Sequence, residues 1–183
     1  MTSELYTHYQ HRRPALIFAT AILTAVLLVI TIQRNLLWRD PIAFFEQNTR
    51  LEPNSLRAWG HLSTAYIDRQ NYTAAFGALQ QFEGKRRGLT REIRDRYFVN
   101  LLISLAGMGR HMDAIQIGKK IHDTKIIYDQ RQSAIILNSL AVSYGALGYG
   151  EQAILSLEEA LQLDPSNQDV IRNYARVKKA GLR

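Results

Sequence analysis

The chain of 183 residues contains no cysteine, so disulfides and thiol chemistry play no part in its fold or function. Their absence is compatible with a periplasmic or a cytosolic setting. Proline occurs only four times, at 14, 41, 53 and 165, and glycine eleven times, which favours helix over an all-β arrangement. The signatures of common chemistry are missing too. There is no HExxH pair, no GxSxG, no P-loop and no GxGxxG. The histidines His8, His11, His61, His111 and His122 form no set with carboxylates at metal-ligand spacing, and surface positions account for His111 and His122. Glu158 and Glu159 are neighbours on a helix surface and point different ways, which does not suit paired acid–base work. No catalysis, cofactor, metal or small-molecule substrate is expected.

Positive charge, by contrast, is in excess: 23 Lys and Arg against 16 Asp and Glu, a formal +7. Residues 85–131 hold eleven basic and five acidic residues, so this segment alone carries +6. Aromatic residues are not interleaved with that charge as a base-stacking surface requires. The charge therefore reads as a solvated face, and no nucleic-acid partner is expected.

Residues 14–32 carry no charge at all. As a helix they cover about 28 Å, close to the thickness of a bilayer's hydrocarbon core. Arg12 and Arg13 flank one end, Arg34 and Arg39 the other, and Trp38 sits where an interfacial aromatic belongs. A cleaved signal peptide would have a shorter core and a small-x-small site, whereas 31–35 read Thr-Ile-Gln-Arg-Asn. A buried core helix would show an apolar stripe rather than apolar residues on every face. The expectation is one uncleaved span through residues 14–32 after a basic tail, 1–13. The flanking Lys/Arg counts nearly balance, but a short basic tail before a first span usually stays cytoplasmic, which would place the rest of the chain on the other side.

Beyond the span, apolar residues recur at helical spacing. Leu137, Leu140, Ala141 and Tyr144 form one stripe before Gly148. Ala153, Ile154, Leu157, Ala160 and Leu161 form a second after it, ended by Pro165. Ala141 and Ala153 permit two antiparallel helices to approach closely. The same spacing begins at Trp59, with Leu62, Ser63, Tyr66 and Ala75, and at Phe98, with Leu101, Leu102, Leu105 and Ala114. The three units start 39 residues apart. In the first, Gln70 replaces the turn glycine, and Asn71 is expected to supply the left-handed residue. In the middle one, Leu102 is larger than usual and Gly118 is expected to leave a hole. Residues 90–97 and 128–133 are expected to lengthen the helices that follow by about a turn, and 83–88 to form a loop after Phe82. Asp40 and Pro41 open an earlier helix that ends at Pro53. A last helix, 167–180, with Val170, Ile171, Tyr174, Ala175 and Val177 on one side, closes the array.

Trp, then Leu with a small neighbour, then Tyr, then Ala at this spacing resembles the tetratricopeptide repeat (TPR), a helix-turn-helix unit that buries its apolar face only by stacking. The resemblance implies an all-α fold: a right-handed superhelix of antiparallel helix pairs, preceded here by a single transmembrane helix. Its parts would be a half repeat (40–54), repeats at 55–88, 89–125 and 126–166, and a cap helix (167–180), in a domain spanning 40–183. It also implies a concave face, lined by the first helix of each pair, that binds a protein or peptide. Carried onto this sequence, the groove positions are Arg57, His61, Thr64 and Asp68; Arg96, Asn100 and Ile103; and Asn138, Ser139 and Val142. TPR domains that clamp a peptide carboxylate use Lys, Asn and Arg. Here those places hold Gly60, Thr64, Asn100, Ile135 and Ser139, and only Asn100 fits.

A second resemblance lies at the junction. Arg34-Asn35-Leu-Leu-Trp38-Arg-Asp40, followed by a half repeat, is similar to the C-terminal part of membrane mannosyltransferase-like proteins that carry TPR tails. The expected function is a membrane-anchored TPR scaffold for protein–protein interaction. The alternative is an accessory subunit or reduced relative of a TPR-containing membrane glycosyltransferase system.

Overall fold

The structure, a computed structural model, describes residues 3–81, 89–127 and 129–181. The loop expected at 83–88, with Phe82 and Tyr128, lies outside them. Among the described residues the chain forms nine α-helices and no strand. It divides into two compact units, Met1–Phe44 and Phe45–Arg183.

The first unit is dominated by helix α1, Ser3–Trp38. Its part Arg13–Trp38 is long and apolar enough to cross a membrane, and none of its most apolar window is buried within the protein. The hydroxyls of Thr20, Thr24 and Thr31 donate back to carbonyls one turn earlier, Thr31 to Leu27 at 2.7 Å. These polar groups are thereby satisfied without water. After α1, the Asp40 carboxylate accepts from the Ile42 N–H at 3.1 Å and opens helix α2, Pro41–Leu51. Trp38 packs on Phe44 with ring centroids 5.5 Å apart.

The second unit continues α2 into α3 (Leu56–Asp68), α4 (Tyr72–Gln80), α5 (Arg91–Gly107), α6 (His111–Asp123), α7 (Gln130–Ala146), α8 (Gly150–Leu163) and α9 (Gln168–Gly181). Local chemistry sets the starts. Ser55, Asn71, Thr90 and Asp129 each accept, through the side chain, a backbone N–H three residues on. Helices α5 and α7 have 17 residues where α3 has 13, so each is longer by about one turn. The tight turns fall at Gln70, Gly109 and Gly148, all with positive φ (57°, 75° and 83°) and all in the 39-residue register. The expectation for Asn71 is therefore corrected. Asn71 caps α4 with φ −89°, and Gln70 takes the left-handed conformation. One residue cannot do both, because an N-cap needs negative φ.

Packing follows the same register. Ala75, Ala114 and Ala153 are at most 1% exposed, and the small-residue position opposite holds Ser63, Leu102 and Ala141, also buried. Leu102 is fully buried, and Gly118 leaves no hole. A Cβ on Gly118 would lie 2.6 Å from Leu140 Cδ2, so the next repeat's leucine already occupies the space. Helix α9 also departs from expectation. Val170 is buried and Tyr174 and Val177 are half-buried, but Ile171 and Ala175 face solvent. The contact stripe runs at i, i+4, i+7, and the other two residues lie about 100° round from it.

The order of packing determines where a partner could bind. Helices pack within pairs (α3 on α4, α5 on α6, α7 on α8) and each second helix packs on the next first helix. First helices also pack on one another in the series α3, α5, α7, α9, whereas α4 and α6, or α6 and α8, do not. Contact on one side and separation on the other bend the array, so the first helices line its inner face.

Candidate functional site: the face of the first helices

The residues expected in the groove divide into three groups. Arg57 and Asp68 are exposed, while His61, Thr64, Arg96, Ile103, Asn138 and Val142 are half-buried. Asn100 and Ser139 are buried and are spent on packing. The Asn100 amide donates to Ser63 Oγ (2.8 Å), Thr64 Oγ1 (2.9 Å) and Gly60 O (3.3 Å), tying α5 to α3. Ser139 Oγ donates to Ile135 O at 2.9 Å. The Asn100 amide nitrogen and the Ser139 hydroxyl are thus engaged within the fold. Burial of the asparagine is offset because α3 offers three oxygens to its amide.

At the N-terminal end of this face the side chains converge. Glu92 lies between two guanidinium groups, 3.2 Å from Arg96 and 3.8 Å from Arg57. Arg96 Nη1 donates into the His61 ring, 2.6 Å from Nδ1. On its other side His61 stacks on Phe45 of α2, ring centroids 5.1 Å apart and planes 10° from parallel. Burial holds the imidazole pKa below 6.5; Arg96 and then Arg57 push it the same way, against Glu92. A guanidinium can only donate, so this contact favours an unprotonated ring nitrogen on His61, in the same direction as the lowered pKa. A second link joins α2 to α3: the Tyr66 hydroxyl donates to Glu46 Oε1 at 2.6 Å, which pushes the Tyr66 pKa up to about 12.

Further along, the face changes character. Ile103 and Val142 present apolar surface, and Asn138 is bonded to Asn173 of α9 at 2.8 Å. The face is cationic and aromatic at its start and apolar in its middle. Glu92 and Phe45 were missed from the sequence. Glu92 was legible as the i−4 partner of Arg96. Nothing local marks Phe45, whose role depends on how α2 lies on α3. Outside this face, His111 is half-buried rather than on the surface, and its Nδ1 has no hydrogen-bond partner among the described residues. His122 lies 3.5 Å from Glu159. No group of three or more His, Cys, Asp or Glu able to hold a metal ion occurs among the described residues.

No family model matches the chain, and no curated protein matches it. Among solved structures it is similar to the MamA RS-1 ArsTM double mutant, a TPR-containing protein. The TM-score is 0.61 at 16% identity, covering 86% of this chain and 84% of that one. At that identity the likeness is one of fold. The fold class is accordingly the all-α TPR solenoid of antiparallel helix pairs.

Proposed function

We propose that the chain is a membrane-tethered TPR scaffold that binds a segment of another protein along the face of α3, α5 and α7. The supporting observation is the contact order. First helices pack in one unbroken series and second helices do not, so a continuous inner face carries exposed and half-exposed cationic and apolar side chains, with no other described helix laid over them. The contact set is Arg57, His61, Thr64, Asp68, Arg96, Ile103, Asn138 and Val142. The apolar pair Ile103 and Val142 supplies the anchor, and Arg57 and Arg96 fix orientation by charge. Helix α1 is the tether, spanning the bilayer with residues 14–32. The repeats, built as half repeat, three full repeats and cap, lie on the non-cytoplasmic side. The link to glycosyltransferase systems rests on the junction at 34–40 alone and is not part of this reading.

The test is capture by full-length protein from detergent extracts, compared with an Arg57→Glu, Val142→Glu double variant of equal helicity. Partners lost from the variant support the face as the binding surface. Partners retained in full would place binding elsewhere. Protease added to intact spheroplasts should digest the repeats, and protection would reverse the orientation.

A further inference from the structure

The separation of α4 from α6 leaves a cavity of about 510 Å³ over α5. Phe76 and Leu79 of α4, Phe98 and Leu101 of α5, and Ile117 and Ile121 of α6 form its wall. These α5 residues differ from Arg96 and Ile103, so the cavity is separate from the proposed partner face. Two cations, Arg110 and Lys120, stand on its lining, and among the described residues no carboxylate does. Arg110 is engaged: Nε donates to Asp113 at 2.7 Å and the guanidinium lies 5.3 Å from the Phe76 ring centroid. Lys120 has no ion pair among the described residues.

A ligand for this site must be apolar along most of its length and anionic at one end. A peptide fits poorly. Its backbone N–H and C=O groups would meet a wall whose neutral polar residues, among those described, are Gln80, Thr124 and Tyr97, leaving most of those groups unpaired. The volume lies within the ordinary range of small-ligand cavities, roughly 300–1,000 Å³, and suits one hydrocarbon chain rather than two. We propose that this cavity binds a fatty acid, with the acyl chain between α4 and α6 over α5 and the carboxylate on Lys120. The proposed membrane tether enters only as the source of the ligand.

The test uses full-length protein in phosphatidylcholine nanodiscs and a palmitate probe bearing a diazirine in its chain, with adducts mapped by mass spectrometry. Adducts are expected on peptides within 91–121 as well as on α1, whose labelling serves as the internal reference. Lys120→Glu should lower the cavity-to-α1 ratio by up to about fivefold. Ile117→Trp, at a half-buried wall position, should lower it by filling the space, and Lys179→Glu should leave it unchanged. Shortening a competing fatty acid should weaken competition by up to about fourfold per methylene. Absence of cavity adducts in the parent protein overturns the proposal. So does a ratio unmoved by Ile117→Trp, or one that Ile117→Trp lowers and Lys120→Glu does not, since the carboxylate half would then be wrong. Cavity labelling without α1 labelling would refute the tether while supporting the cavity. Partner capture, tested at Arg57 and Val142, is independent of all these outcomes.

Discussion

Restoring the repeat pattern at residue 118 should damage the protein. The first and last repeats carry leucine at this position, Leu79 and Leu157, so Gly118→Leu resembles a stabilising consensus change. The structure reverses that expectation. A Cβ at 118 would stand 2.6 Å from Leu140 Cδ2 and 2.9 Å from Cγ, and Leu140 is only 3% exposed and has little freedom to withdraw. For Gly118→Ala, a gain of about 1 kcal/mol in helix propensity opposes an overpacking cost of about 1–3 kcal/mol, a net loss of up to about 2 kcal/mol. Leucine adds three further carbons where no space exists, and the loss should exceed about 3 kcal/mol. Leu140→Ala alone should cost about 2–5 kcal/mol through the cavity it opens. In the double variant the new leucine enters the vacated volume, so the two changes should be less costly together than their sum by about 2 kcal/mol. Urea midpoints of the helical circular-dichroism signal, on full-length protein in detergent, measure all four corners of the cycle. A Gly118→Leu protein as stable as the parent, or a strictly additive double variant, would show that Leu140 does not fill the place of the missing side chain.

Other perturbations follow from single observations. Gln70→Gly should raise stability by about 1 kcal/mol, seen as a higher urea midpoint, because a non-glycine residue at φ 57° is strained. Loss of stability would contradict that strain. Ser104 Oγ is fully buried with no hydrogen-bond partner among the described residues, so Ser104→Ala should be neutral or stabilising by about 1 kcal/mol, whereas Asn100→Ala should cost about 1–3 kcal/mol. The folded-state pKa of His61 lies below its ordinary value of 6.5, so the unfolded chain takes up the proton first. Stability from this group is therefore complete above about pH 6.5 and lost as pH falls through the folded-state value; a His61→Phe protein should lack that component of the acid limb in thermal melts. Tyr66 behaves oppositely in alkali. Its contribution is complete below pH 10 and lost as pH rises through about 12, a component that Tyr66→Phe should remove from tyrosinate absorbance titrations.

Much of the fold is visible residue by residue because its causes are local. Helix starts follow from Ser55, Thr90 and Asp129, each of which bonds an N–H three residues away. The 39-residue register shows in Trp59, Phe98 and Leu137, and the turns in Gly109 and Gly148. An uncharged run of 19 residues at 14–32 states its own length and hydrophobicity. The site was legible only in part. Sequence spacing placed Arg57, Arg96, Ile103 and Val142 on the first helices, but residues with the same spacing proved to have different roles. Asn100 and Ser139 are buried, while their register mate His61 remains half-exposed between Phe45 and Arg96.

Sequence alone thus determined the helices, their repeat and the anchor-like first helix, since each depends on hydrogen bonds and periodicities within a few residues. Tertiary structure alone decided that Leu140 fills the place of Gly118, that Gln70 bears the strain Asn71 could not, that Asn100 is spent between α3 and α5, and that a cavity opens between α4 and α6. These outcomes depend on side-chain volume and hydrogen-bonding groups exchanged between helices some 20–40 residues apart in sequence, as Asn100 and Ser63 are at 37. No local pattern encodes which of two facing helices supplies the atom that fills a given space.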